Sequence, residues 1–278
     1  MTVQTAGLSA DMMGVRGRRK RDAASGTSTR AAAWAILAVV ILSPALGWGD
    51  SPQTAAHPPS QVVLFVATPD GQRDDPALLA AVQHEAQLAV SWLEVQTGMA
   101  MRGQVARGRQ VRLDSSASAL AGSTVTAVQS IHAEVMSQTR DPGIFPLIIV
   151  PVATATPNSG PQTCARGWTA GLVVLLGNCP SRAPSLTAEW GSELSRTIAH
   201  ELVHGLGGVQ DCAPNATTSG HVHDDPADLM YEGPEARPEG RIILDVGRDD
   251  YWQHDNHGCL DIADSPLWLR DRSGPSPT

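Results

Sequence analysis

His200-Glu-Leu-Val-His204 sets two imidazoles four residues apart with a carboxylate, Glu201, between them. On a helix, residues at that spacing lie one above the other on the same face. Both rings can then reach one tetrahedral metal ion, and zinc is the ion such a pair suits. Glu201 would lie beside the metal, where it can take a proton from a polarised water. The chemistry on offer is metal-assisted attack of water on a carbonyl group. Gly205, Gly207 and Gly208 follow the second histidine, and Met230 stands downstream in Asp-Leu-Met-Tyr.

These residues need a helix to carry them. Leu194, Ile198, Leu202 and Leu206 recur at helical steps, so a helix is expected over Ser185 to Leu206. The glycines after it supply the left-handed turn of a helix exit. Upstream, Gln61 to Ala67 has strand composition and ends at Pro69-Asp70-Gly71. From Asp75-Pro76 a long helix is expected through Leu78, Leu79, Val82, Ala86, Leu88, Ala89, Trp92 and Leu93. Gln110–Leu113 reads as a strand, Ser123 to Gln138 as a second helix, Phe145–Val150 as a buried central strand and Gly171–Leu176 as another strand. Alternating strands and helices predict a three-layer α/β body. Beyond Gly207 the periodicity fades, and a loop-rich half held by metal and disulfides is expected. The expected bounds are a linker at 50–60, one domain at 61–268 and a disordered tail at 269–278.

Arg16, Arg18, Arg19, Lys20 and Arg21 precede an unbroken apolar run, Ala31–Leu42, which is followed by Ser43-Pro44 and small residues. That order describes an export signal over 1–49, with a retained N-terminal anchor as the alternative. The apolar run falls short of the roughly 20 residues of a membrane span. Without residues 1–49 the chain keeps 14 Lys+Arg against 26 Asp+Glu, a net charge of −12. Such a surface argues against nucleic acid and anionic membranes as partners. A monomer is expected, secreted or in the cell envelope, with membrane contact only through an uncleaved N-terminal segment. Cys164, Cys179, Cys212 and Cys259 are an even set in a chain read as exported, which predicts two disulfides. Of the three connectivities, Cys164–Cys179 with Cys212–Cys259 is preferred, because each bridge would tie a loop near the histidines. With no Cys-x-x-Cys pair, zinc binding by thiolates is not expected.

The histidine string resembles the signature of the metzincin clan of zinc metallopeptidases, His-Glu-x-x-His-x-x-Gly-x-x-His (or Asp), at His200, Glu201, His204 and Gly207. Met230 is similar to the clan's Met-turn methionine. The wider run is similar to a group of exported actinobacterial-type zinc peptidases, through Cys212-Ala-Pro, Gly220-His-Val, Asp228-Leu-Met-Tyr231 and Leu244-Asp-Val-Gly-Arg-Asp-Asp-Tyr251. The resemblance spans residues 140–265 and is most specific from His200 to Tyr231. It implies a metzincin-like zincin fold of the α/β (α+β) class: a twisted mixed sheet over an active-site helix, and a substrate-pairing edge strand. Gly171–Leu176 would be that strand. It also implies Zn2+ as cofactor, His200 and His204 as ligands and Glu201 as general base.

The chain departs from the clan pattern at the third ligand. Six residues after His204 stands Gln210, whose neutral amide is a poor zinc ligand. His221 is favoured instead, as an imidazole lying between the glycine turn and Met230. Asp211, His223 and Asp224 remain open. His221 and His223 alternate, so only one can easily face the metal from an extended segment. A glutamate ligand, Glu232 or Glu235, would need a second helix that Pro234 and its neighbouring glycines disfavour. Tyr231 is a candidate donor to the transition state, although the clan's tyrosine stands two residues after the methionine. Asp225, with Asp224 and Asp228, is expected to form turns or to hydrogen-bond a ligand histidine. His254 and His257 are expected to be solvated.

The expected function is an exported zinc-dependent endopeptidase acting on peptides or proteins. Two rivals stand beside it. One is a peptidase-like scaffold that holds zinc without turnover, which Gln210 supports. The other is an envelope interaction protein whose histidines are incidental.

Overall fold

Eight of the ten residues of Gln61–Asp70 are buried, with no polar face. A strand of that kind has to run through a sheet covered on both sides. The computed structural model, in which residues 59–120, 124–151, 164–179, 193–235 and 242–269 are described, places it so. The strands in chain order are β1 (Gln61–Asp70), β2 (Ala100–Met101), β3 (Gly103–Ser116), β4 (Ile144–Val150), β5 (Ala165–Trp168), β6 (Gly171–Leu175) and β7 (Trp268–Leu269). The helices are α1 (Pro76–Thr97), α2 (Thr124–Thr139) and α3 (Glu193–Leu206). A mixed five-stranded sheet runs β3-β1-β4-β6-β5, with β5 alone antiparallel to its neighbour.

Strand alternation sorts the core into two layers. Val62, Leu64 and Val66 face α1 and α3, among Val82, Ala86, Leu93, Ile198 and Leu202. Val63, Phe65 and Ala67 face α2, among Val128, Ile131 and Val135. The result is a three-layer α/β body, as the alternation of elements predicts. Helix α1 starts where expected: the Asp75 carboxylate accepts from the backbone N–H of Ala77 (2.9 Å) and Leu78 (3.1 Å), and Pro76 opens the first turn. It runs to Thr97 and ends at Gly98, in the left-handed region at φ 68°. Helix α3 seats its last turn directly on β4, since a Cβ at Gly205 would run into the Phe145 ring.

Two expectations need correction. Gly171–Leu176 is not the sheet edge: β6 lies inside the sheet between β4 and β5, and its residues are fully buried. Among the described strands the edge is β5, Ala165–Trp168, whose short Ala-Arg-Gly-Trp run has no apolar alternation to announce it. The two-stranded sheet of β2 and β7 was not anticipated either. It pairs Met101 with Trp268, and the Arg102 side chain donates to the Trp268 carbonyl at 3.0 Å. This clamps the end of the described chain beside the foot of α1.

After α3 the described chain is loop-rich, as expected, with only a 3-10 turn at Ile262–Asp264 and β7. It is nonetheless packed: Val222, Leu229, Met230, Leu244, Tyr251 and Trp252 continue the core layer beneath α3. Cys164–Cys179 and Cys212–Cys259 are the two disulfides. Both suit an oxidising, extracytoplasmic environment. The export signal or anchor, almost all of the linker, the tail from 270 and the 185–192 stretch of the expected helix lie outside the described residues. Among the described residues no helix is long and apolar enough to cross a membrane.

Candidate metal centre

One face of α3 is apolar and buried through Ile198, Ala199, Leu202 and Val203, which leaves His200 and His204 half-buried on the opposite side. Past Leu206 the chain reverses. Gly208 N–H donates to Val203 O at 2.8 Å and Gly207 N–H to His204 O at 3.1 Å, with Gly207 at φ 97°. A second left-handed glycine, Gly220 at φ 80°, lies against the His204 ring. It delivers His221 to the other two histidines.

The three rings form a triangle. Their centroids stand 5.1 Å apart for His200 and His204, and 5.0 Å apart for each of these with His221. One nitrogen from each ring lies within 4.8 Å of the others. His200 Nε2 and His221 Nε2 face each other at 3.0 Å. Their outer nitrogens are engaged: His200 Nδ1 is 3.0 Å from the Leu229 carbonyl, while His221 Nδ1 is 3.1 Å from Glu232 Oε2 and 3.2 Å from Ser219 Oγ. A carbonyl and a carboxylate only accept, so both Nδ1 atoms donate, and in the neutral rings both Nε2 atoms then carry lone pairs. Two lone pairs opposed at 3.0 Å repel unless a cation lies between them. Two nitrogens on one tetrahedral zinc, each at about 2.0–2.1 Å, stand roughly 3.3 Å apart. Three imidazoles are a donor set that suits zinc, and the His200–His221 separation is close to that spacing.

Burial, and after it the positive charge of His221 when protonated and of Arg166, lowers the His204 imidazole to about 4, so its ring is neutral and able to ligate at neutral pH. Glu201 lies on the sheet side of the same turn, 8% exposed. Burial raises its carboxyl to about 7, against a backbone hydrogen bond from Gly167 and the Arg166 charge, which pull it down. That hydrogen bond comes from the edge strand. Gly167 of β5 lies so close to α3 that a Cβ there would collide with the Glu201 carbonyl. A cleft of about 300 Å³ opens between β5 and α3, lined by Ala165, Arg196, Thr197, His200, Glu201 and Leu229 among others. A larger cavity of about 530 Å³ at the C-terminal end of α3, near His132 and Leu260, includes none of the three histidines.

No protein-family model matches the chain, and comparison with curated proteins finds no match. The site therefore rests on its own geometry.

The other candidates sit elsewhere. Gln210 spans the helix exit, donating from Nε2 to Gly207 O at 3.3 Å and accepting from Leu260 N–H at 3.2 Å. Asp211 is exposed, and so is His223, whose Nδ1 is 2.7 Å from Asn215 O. Asp224 groups with Asp249 and Asp250, apart from the histidines. His254 Nε2 lies 3.3 Å from Leu260 O, and His257 is exposed. The Tyr231 hydroxyl donates to Glu235, so both groups are engaged with each other. Asp225 accepts from Ala227 N–H at 2.7 Å within its own turn, one of the two roles expected of it. Met230 is fully buried. Its backbone is fixed by Asp228, which accepts from Met230 N–H at 2.6 Å, Val246 N–H at 3.0 Å and the Tyr251 hydroxyl at 2.8 Å.

Three participants escaped sequence reasoning, Gly167, Arg166 and the Leu229 carbonyl, and Glu232 was weighed only as a ligand. A glycine inside a strand is the one available signal, since it marks close approach of another backbone. The others depend on which loops meet.

Proposed function

We propose that the protein is a zinc-dependent peptide hydrolase working outside the cytoplasm. The observation that carries this reading is the convergence of His200, His204 and His221, with the buried carboxylate of Glu201 on the adjoining position of the same helix. His200, His204 and His221 would hold the ion, and three protein ligands leave the fourth position that a catalytic zinc keeps open. When bound, zinc supplies Lewis acidity and activates water near neutral pH.

The chain's own residues do the rest. Glu201 offers a buried carboxylate on the same helical turn as His200 and His204, placed to act as a general base. It takes a proton from the attacking water and returns it to the leaving amine. The Gly167 N–H keeps that carboxylate on the cleft side of α3. Strand β5, the edge among the described strands, borders the same cleft, and a strand edge can hold an extended peptide by backbone hydrogen bonds. The antiparallel edge strand beside a histidine-bearing helix also supports the metzincin resemblance.

One observation favours the rival scaffold that binds zinc without turnover. The Tyr231 hydroxyl is committed to Glu235 and is not offered to a transition state. The test is hydrolysis of a denatured protein by purified, zinc-loaded enzyme. Cleavage that a chelator abolishes and added zinc restores supports the hydrolase, whereas one tightly bound zinc with no cleavage supports the scaffold.

A further inference from the structure

Two of the three ligands are held by a helix, and the third is not. His221 sits in a loop, so something else must fix its ring. The backbone places it: Val222 N–H donates to Met230 O at 3.0 Å, Glu232 N–H to Val222 O at 2.8 Å, and Thr217 N–H to His221 O at 2.7 Å. These bonds register the 216–222 and 230–232 segments side by side, which carries the Glu232 side chain to the outer face of the His221 ring. There Glu232 Oε2 is 3.1 Å from Nδ1. Ser219, which also donates to Glu232, places its hydroxyl 3.2 Å from the same nitrogen and 2.7 Å from Thr217 Oγ1.

We propose that Glu232 is the positioning residue of the third metal ligand: it takes the His221 Nδ1–H and thereby turns the Nε2 lone pair toward His200 and His204. A neutral imidazole carries one donor and one acceptor nitrogen, and a carboxylate accepts only. With Glu232 in place, the proton belongs on Nδ1. Without it, the ring can take the other tautomer or turn away. His200 receives the same service from the Leu229 carbonyl, a backbone atom no substitution removes. Glu232 is thus a support and not a ligand, and the inference rests on the reading that these histidines hold zinc.

The location of Glu232 separates this role from a general structural one. Its side chain is 55% exposed, and an exposed ion pair contributes little to folding. Hydrogen-bond partners of metal-ligating histidines are nevertheless worth about 10–100-fold in metal affinity. The experiment measures zinc affinity by chelator competition for the wild type, Glu232→Ala and Glu232→Gln, alongside melting of each protein without zinc. Glu232→Ala is expected to bind zinc about 10–100-fold more weakly with an unchanged zinc-free melting temperature. Glu232→Gln should recover most of the affinity, because its amide oxygen still accepts from Nδ1. In nitrogen-15 spectra of the zinc-loaded protein, His221 should carry its proton on Nδ1.

Zinc affinity of Glu232→Ala within about twofold of wild type would overturn the proposal, given the usual size of such effects. So would an affinity loss matched by an equal loss of zinc-free stability. Wild-type protein that binds no zinc would overturn both this proposal and the function it rests on. Wild-type protein that binds zinc tightly but cleaves nothing would sink the hydrolase alone, and the affinities would still decide the role of Glu232.

Discussion

The sheet half of the molecule and the half that follows α3 are stabilised in different ways. In the sheet half, order comes from the continuous apolar strands β1, β4 and β6 and the helices packed on them, and any one side chain is among many. After Gly207, order comes from point interactions: one disulfide, a few left-handed residues, and the buried carboxylates of Asp228 and Asp245, each gathering backbone N–H groups. The three-histidine site straddles the two. His200, Glu201 and His204 belong to the first half through α3, and His221 to the second. A site built in this way has a rigid side that sets the chemistry and a side that closes only when its loop is correctly tied. The loop half should therefore be where single substitutions alter metal binding without unfolding the sheet.

The largest test of that contrast is His221→Ala, which should weaken zinc binding on the order of a thousandfold, because a ligand is lost outright. Gln210→Ala, at the position where the clan pattern would put a ligand, should leave zinc affinity nearly unchanged and cost only its bridge between Gly207 and Leu260. Chelator competition on both variants measures this, and the reverse order would break the assignment.

Next in size is the Cys212–Cys259 bridge, which closes 47 residues of the loop half. Replacing both cysteines with serine should cost about 4 kcal/mol of stability by loop entropy. Circular dichroism should then show the sheet and helices melting after the zinc site is lost. A single shared transition would mean that the two halves are one cooperative unit.

Smaller again is Asp228→Asn. The carboxylate serves three donors in a buried place, and an amide can satisfy them only in part. A loss of about 1–3 kcal/mol is expected, together with weaker zinc binding, because Met230 and the Leu229 carbonyl lose their anchor. Ile148→Val in the sheet centre is the smallest, at about 1 kcal/mol, and should leave zinc affinity untouched. Denaturant titrations of the two variants, each with and without zinc, make the comparison.

The sheet half was readable because its physics is periodic. Helix α1 announces itself by its apolar steps and its Asp75-Pro76 start, and β4 by seven buried residues in a row. Strand β5 was not readable, because four residues with a central glycine become a strand only through pairing with β6 and contact with Glu201. In the loop half, His221 stood out by residue type alone. Its partner Glu232 did not, since eleven residues separate them and only the registry of Val222 with Tyr231 brings them together. Periodicity carries no record of that registry, and it is the same registry on which the third ligand depends.

The proposed hydrolysis with Glu201 as base is tested most directly by the rate of protein cleavage by zinc-loaded Glu201→Gln beside zinc-loaded wild type. Glutamine keeps the size of the side chain and its backbone contact but cannot take a proton, so the account predicts one zinc per chain in both proteins and a loss of about 10²–10⁴-fold in rate. Equal rates, with zinc present in both, would contradict it.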